Sequence, residues 1–112
     1  MPPSRKLAAF RATTERFAGI TWNEANRLAH EAKRPFPPWR LPPFADWSRV
    51  CKRKDIEHPH PPDRFQALVR LVLEGRAFVL FVAYSKENQL LNVITARMAT
   101  DLEAQTFHRH HG

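Results

Sequence analysis

The chain has 112 residues, of which 43% are hydrophobic and 11% are aromatic. This composition suits one folded domain with a single core and excludes a disordered tail. The formal net charge is +7, from 18 Lys and Arg against 11 Asp and Glu, which favours an acidic partner such as nucleic acid, an acidic protein or an anionic membrane surface. No apolar run is long enough to span a bilayer, and residues 1–19 lack a secretory signal, so we expect a cytoplasmic protein with no membrane association.

The N-terminal segment has the apolar spacing of a helix. Leu7, Phe10, Thr14 and Phe17 recur at helical intervals, and Gly19 is a natural C-terminal stop. We therefore predict an N-terminal arm and helix extension over residues 1–19, followed by one domain over residues 20–112.

A second helix is predicted from residue 21. Thr21 and Glu24 have the spacing of a capping box, in which each side chain satisfies a free N–H group at a helix start. The helix should run to about Lys33 or Arg34, because residues that precede a proline such as Pro35 avoid the helical region.

The middle of the chain is rich in proline. Residues 35–43 should be extended and stiff, as a rigid connection or, alternatively, as a ligand for a proline-binding groove. Residues 44–51 suit a short helix that ends at Cys51, and residues 52–63 a polar loop. The lone cysteine permits no intrachain disulfide and fits a reducing compartment, as a small apolar residue or, alternatively, a reactive thiol.

Three strands are predicted in the second half. Residues 65–73 alternate between apolar and polar, residues 77–84 are apolar on both faces, and residues 89–97 form a third strand. Turns at Glu74–Gly75 and at residues 86–88 are short, so consecutive strands must be antiparallel neighbours.

A final helix completes the predicted fold. Thr100 and Glu103 repeat the capping-box spacing, and His108, His110 and His111 lie at what we expect to be a frayed end. The predicted class is α+β, with a small antiparallel sheet of three to four strands and helices packed on one face.

Arginines stand at the ends of the predicted strands. Arg64 opens the first strand, Arg76 opens the second and Arg97 closes the third. Guanidinium groups suit phosphate because they offer paired donors, although solvated strand ends are an alternative explanation. The first and third strands run in the same direction, so we expect Arg64 and Arg97 at opposite ends.

Histidines supply the residue type for proton transfer. His60 lies shortly before Arg64, and a histidine can accept or donate a proton near neutral pH. A zinc site would need His58 and His60 with two further ligands, for which Cys51 and Asp55 are conceivable, but no recognised spacing supports it. Two ordinary loop histidines remain the alternative.

These motifs together resemble the BrnT family of toxins from bacterial type II toxin–antitoxin modules. The matching residues are Trp22, Glu24 and Lys33 in the first third, His60 before Asp63-Arg64-Phe65 in the middle, and Ile94-Thr95-Ala96-Arg97-Met98-Ala99 with Glu103 and Phe107 at the end. Asn23 stands where the family has aspartate, and Arg34 stands where it has histidine. The resemblance covers residues 20–108, and its last third is the most specific.

The resemblance implies a RelE-like fold and a ribonuclease that cleaves mRNA without a metal or cofactor. It implies phosphate contacts from Arg64 and Arg97 and proton transfer by His60, with Lys33 as a supporting cation. We add Arg34 and Arg76 as candidate substrate-binding residues.

The resemblance also implies a partner, a DNA-binding antitoxin with an acidic surface that covers the toxin. Two alternatives remain. One is a non-catalytic inhibitor on the same toxin-like fold, which would bind nucleic acid or protein without needing His60. The other is an inert domain of a larger complex, with Trp39 and Trp47 as interface anchors.

Overall fold

The computed structural model describes residues 5–22, 41–55 and 64–111. In chain order the elements are α1 (Arg5–Ala8), β1 (Arg11–Thr13), β2 (Gly19–Trp22), a 3-10 turn (Pro42–Phe44), β3 (Asp46–Lys54), β4 (Arg64–Leu73), β5 (Arg76–Glu87), β6 (Leu90–Met98) and α2 (Asp101–His111).

The strands form one six-stranded sheet in the order β1-β3-β4-β5-β6-β2. Neighbours are antiparallel except for the edge strand β2, which runs parallel to β6. The predicted β4–β5–β6 meander is confirmed. Its two turns have positive φ at both central residues, Glu74–Gly75 and Asn88–Gln89, which is the turn geometry that matches the twist of paired strands.

The predicted fold class is wrong. We expected three to four antiparallel strands with helices on one face, as in a RelE-like fold, but the sheet is mixed and has six strands. Within the described ranges, α2 is the single helix longer than four residues. The difference arises because three segments outside the meander, each of which overlaps a predicted helix, pair with the sheet as strands.

The predicted helix over residues 44–51 is instead the 3-10 turn and the first part of β3. The pairing register of β3 with β4 shifts between Asp46 and Val50, and this shift marks a bulge in β3. As a result Trp47 and Val50, three residues apart, both belong to the same core cluster. A bulge therefore gave this strand the apolar spacing of a helix.

The N-terminal segment also differs from the prediction. It contains one helical turn, α1, and then two short strands at opposite edges of the sheet. Thr21 lies in β2, where its hydroxyl group is 3.2 Å from Asn92 Oδ1, so it does not cap a helix. Residues 23–40, which include the rest of that predicted helix, most of the proline-rich run and Trp39, lie outside the described residues. The end of that run was predicted to be extended, but Pro42 and Pro43 lie in the 3-10 turn. The boundary at residue 20 stays a prediction.

Each face of the sheet has its own core. We call one the crossing face, because the connection between β1 and β2 passes over it, and the other the helix face, because α2 packs there. The crossing face is built around Val69, Leu80, Val82, Tyr84 and Leu91, with Trp47 buried among them. Trp47 is therefore a core residue rather than a surface anchor.

The helix face has a smaller apolar core. Cys51, Leu68, Phe81, Phe10 and Phe107 form it. The predicted capping box at the start of α2 is confirmed. The Thr100 N–H donates to Glu103 Oε1 at 2.8 Å, and the Glu103 N–H donates to Thr100 Oγ1 at 3.2 Å.

Candidate nucleic-acid interface

Strand pairing places two of the predicted arginines on the helix face. Arg64 pairs with Ser85 of β5, and Arg97 pairs with Phe81 of the same strand. Positions 81 and 85 are four residues apart and point to the same face, since side chains alternate along a strand. Arg64 and Arg97 therefore share a face.

The two arginines do not meet. Their partners on β5 are separated by 85 − 81 = 4 residues, about 13 Å along the strand, and β4 and β6 are about 10 Å apart across the sheet. The expectation that these arginines lie at opposite strand ends is confirmed. Each arginine must therefore contact a different part of any ligand.

Arg64 lies against a buried carboxylate. Its Nε atom is 3.2 Å from Asp55 Oδ2, and the Asp55 side chain is 1% exposed. These two atoms are out of hydrogen-bonding alignment, so the contact is an ion pair made through the Nε side of the guanidinium. The backbone N–H of Asp55 also donates to Arg64 O at 3.0 Å, which fixes the two residues across β3 and β4.

The Arg97 guanidinium is held by a carboxylate and by an aromatic ring. Its two terminal nitrogens donate to the two carboxylate oxygens of Glu103 at 2.7 and 3.0 Å. The guanidinium also lies 4.0 Å above the Phe81 ring. Burial acts to raise the pKa of Glu103, but hydrogen bonds from Arg97 and Thr100 outweigh it and hold that pKa below its usual 4.5. Glu103 is therefore a carboxylate that competes with any anion for Arg97.

Polar side chains continue the helix face between these arginines. Arg53 Nε donates to Gln66 Oε1 at 2.6 Å, and the Arg53 guanidinium lies 4.2 Å above the Phe10 ring. In register with these residues on the same face are the polar side chains of Ser85, Asn92 and Thr95. We call this set, Arg53, Arg64, Gln66, Ser85, Asn92, Thr95 and Arg97, the polar strip.

The remaining predicted site residues lie elsewhere. Arg76 is exposed and occupies the crossing face, in phase with Phe78 of β5, so the strands do not bring it to the polar strip. His60, Lys33 and Arg34 lie outside the described residues. His108, His110 and His111 belong to the last turn of α2.

A second polar constellation is buried under the crossing face. The Glu15 carboxylate accepts hydrogen bonds from the Tyr84 hydroxyl at 2.5 Å and from Lys86 Nζ at 2.8 Å, and Lys52 Nζ is 2.7 Å away. Burial raises the pKa of Glu15, but these partners outweigh it and lower the pKa below 4.5. Burial and the neighbouring carboxylate raise the pKa of Tyr84 well above its usual 10.

These shifts move the pKa values of Glu15 and Tyr84 further from neutral pH. An efficient general acid or base has a pKa close to the pH at which it works. Glu15 stays ionised and Tyr84 stays protonated, so the network suits structural anchoring better than proton transfer.

Cys51 and Asp55, the residues considered for a reactive thiol and a zinc site, both belong to the described part of the chain. Cys51 is fully buried, and burial raises the pKa of its thiol to about 11, which opposes a reactive thiolate. Asp55 faces Arg64. Within residues 5–22, 41–55 and 64–111, no three His, Cys, Asp or Glu side chains are grouped as metal ligands.

Comparisons with protein-family models, with curated proteins and with solved structures found no match. Among the helices in the described part of the chain, none has both the length and the apolar character required to cross a bilayer.

Sequence reasoning missed Arg53 and Gln66 as neighbours of Arg64. It assigned residues 52–63 to a loop, whereas residues 52–54 complete β3 and pair with β4. Lys52, Arg53 and Lys54 are three consecutive basic residues, so no apolar–polar alternation indicates the end of this strand, and the bulge disrupts the pattern before Val50.

Proposed function

We propose that this protein binds RNA along the polar strip and cleaves it without a metal ion. In this proposal it is the toxin of a type II toxin–antitoxin module, acts in the cytoplasm and arrests translation by cutting mRNA. The observation that carries the proposal is that Arg53, Arg64 and Arg97 share one sheet face with hydrogen-bonding side chains between them.

The chemistry of the strip suits a single-stranded phosphate backbone. Guanidinium groups offer planar, paired donors to phosphate oxygens, and amide and hydroxyl side chains between them can hydrogen-bond to riboses and bases. The +7 charge of the chain adds attraction that does not depend on RNA sequence. Because Arg64 and Arg97 are well separated, the proposal assigns them to different phosphates.

The proposed reaction is an internal transfer within the RNA. A base removes the proton of a 2′-hydroxyl group, whose oxygen attacks the adjacent phosphorus. The P–O5′ bond then breaks, and an acid protonates the leaving 5′ oxygen. The products are a 2′,3′-cyclic phosphate and a 5′-hydroxyl end. We assign proton transfer to His60 and phosphate contact to Arg64 and Arg97, with Lys33 and Arg34 as further cations.

The test is cleavage of a defined single-stranded RNA by purified protein in the presence of a metal chelator. We expect cyclic-phosphate ends from the wild type. We expect a loss of at least about 100-fold in rate for His60→Ala, since general acid–base catalysis contributes that order of magnitude. His110→Ala, at an exposed histidine in α2, is the control and should match the wild type. Intact RNA with the wild type would contradict the ribonuclease.

A second candidate function is a non-catalytic inhibitor that binds RNA or an RNA-binding protein. The specific observation in its favour is that Arg64 and Arg97 already face Asp55 and Glu103, carboxylates that would compete with a reacting phosphate for both guanidinium groups. This candidate predicts RNA binding without cleavage, and no effect of His60→Ala on growth arrest. The antitoxin remains part of both proposals, as an acidic protein that competes with RNA for the polar strip.

A further inference from the structure

A second cationic site lies beside α2, away from the polar strip. A small cleft, partly open to solvent, is lined by Asp46, Arg49, Arg70, Phe107 and His111. Arg49 comes from β3, Arg70 from β4, and His111 from the last turn of α2. Three separate elements therefore bring two arginines and a histidine to one cleft.

The two arginines in this cleft differ from those of the polar strip. Arg64 and Arg97 each have a carboxylate within 4 Å. Within the described ranges no ion pair or side-chain hydrogen bond engages Arg49 or Arg70, and both residues are exposed. Their guanidinium donors are therefore available to a ligand without displacing a described partner.

Asp46, the acidic residue in the lining, is occupied by its own strand. Asp46 Oδ1 accepts hydrogen bonds from the Ser48 N–H at 3.1 Å and from the Ser48 hydroxyl at 2.5 Å. These bonds, with further help from the charges of Arg49 and Arg70, lower the pKa of Asp46. The two arginine charges therefore face one carboxylate charge, and the remaining single positive charge matches a phosphodiester.

His111 has a fixed orientation in the cleft. Its Nε2 atom is 2.9 Å from Val50 O, and because a carbonyl oxygen can only accept, Nε2 must carry the hydrogen. The ring also packs against Phe107, with 5.1 Å between centroids. The other ring nitrogen, Nδ1, is therefore not used by the Val50 contact.

We propose that Arg49, Arg70 and His111 form a phosphate-binding site that holds a backbone phosphate of RNA outside the polar strip. Arg70 lies six residues along β4 from Arg64, about 20 Å away, so the site would lengthen the RNA footprint rather than take part in cleavage. The ligand assignment rests on the proposed function, whereas the anion site itself does not.

The first arm of the test uses inorganic phosphate and the intact protein. NMR spectra of the Arg49 and Arg70 Nε–H groups and of the His111 ring are recorded during a phosphate titration, with chloride at matched ionic strength as the control. We expect saturable shifts at these three side chains that are absent in the Arg49→Ala/Arg70→Ala protein. Shifts that are not saturable, or that are equal with chloride, would overturn the site whether or not the protein binds RNA.

The second arm measures binding of a single-stranded RNA by fluorescence anisotropy at several salt concentrations. Arg49→Ala/Arg70→Ala is compared with Arg16→Ala/Lys54→Ala, which also removes two exposed positive charges. For one lost phosphate contact on a single strand, the slope of log K against log salt should fall in magnitude by about 0.7. We expect this smaller slope, and an affinity about 10-fold weaker, for Arg49→Ala/Arg70→Ala but not for Arg16→Ala/Lys54→Ala.

The outcomes separate the two proposals. Equal losses in both double variants would overturn the RNA assignment of the cleft, because only bulk charge would then matter. Phosphate binding with no RNA binding by the wild type would contradict the proposed function and reassign the cleft to a free phosphate. Far-UV circular dichroism and urea midpoints of both variants exclude unfolding as the cause of a loss. Arg49→Lys/Arg70→Lys, which keeps both charges, serves as a second variant and should restore part of the affinity.

Discussion

At the scale of single residues, Glu15 fixes the N-terminal segment to the sheet. It lies in the connection between two strands that occupy opposite edges, and its side chain is 3% exposed. The Glu15 N–H donates to Trp47 O at 2.9 Å. The Glu15 carboxylate accepts a hydrogen bond from the Tyr84 hydroxyl and forms ion pairs with Lys52 and Lys86. One residue therefore joins the connection to two strands, β3 and β5.

We predict that the Glu15–Tyr84 bond contributes measurably to stability. Tyr84→Phe should lower the free energy of unfolding by about 1 to 2 kcal/mol, because it removes a hydrogen bond to a charged group in a buried place. A double-mutant cycle with Glu15→Gln, followed by urea unfolding, should give a coupling energy of about 1 kcal/mol. Additive effects of the two substitutions would show that the hydroxyl and the carboxylate do not interact.

Cys51 yields a second residue-scale prediction. Because its side chain is buried and its thiol pKa is raised to about 11, the native protein should react slowly with a thiol-specific reagent at pH 8. The reaction should become fast in concentrated urea, and Cys51→Ala provides the blank. Rapid labelling of the folded protein would place the thiol at the surface.

At the scale of elements, the start of α2 is the place where the helix and the polar strip meet. Glu103 Oε1 accepts from both the Thr100 N–H and Arg97. Thr100→Ala removes the hydroxyl oxygen that accepts from the Glu103 N–H at 3.2 Å, and this should cost about 1 kcal/mol, as the loss of an N-cap does. Gln105→Ala, on the exposed side of the same helix, should change stability by less than about 0.5 kcal/mol. Equal effects in thermal unfolding of the two variants would contradict a role for the cap.

The elements that could be predicted from the sequence are those with local signals. The β4–β5–β6 meander has short turns between apolar runs, and α2 has a capping box within four residues. In contrast, β1 is exposed along its whole length and gives no alternating pattern. The parallel pairing of β2 with β6 joins residues about 70 positions apart, and no local pattern specifies such a contact.

The candidate site was predictable in part. The types and strand positions of Arg64 and Arg97 were visible, and their separation followed from the antiparallel order. Their carboxylate partners were not assigned, because Asp55 was placed in a loop and Glu103 was assigned to capping alone. The cleft of Arg49 and Arg70 was missed because β3 was predicted as a helix.

At the scale of the whole molecule, two buried carboxylates make stability depend on pH. The pKa values of Glu15 and Glu103 are both lowered below 4.5 in the folded state. Their contribution is fully present above that pH and is lost as the pH falls through the folded values. We predict that the free energy of unfolding decreases below about pH 4.5. The decrease should be shallower in Glu15→Gln/Glu103→Gln, which is less stable at pH 7. Parallel pH profiles in urea unfolding would contradict this linkage.

The most direct test of RNA binding by the polar strip is the affinity of the protein for a single-stranded RNA. Wild type is compared with Arg97→Gln and with Arg16→Gln, which removes the same charge at an exposed position on the connection over the crossing face. Circular dichroism of each variant confirms folding. We predict that Arg97→Gln weakens binding about 10-fold, equivalent to about 1.4 kcal/mol, and that Arg16→Gln changes it less than about two-fold. Equal affinities of the two variants, or no binding by the wild type, would contradict the assignment of the polar strip to RNA.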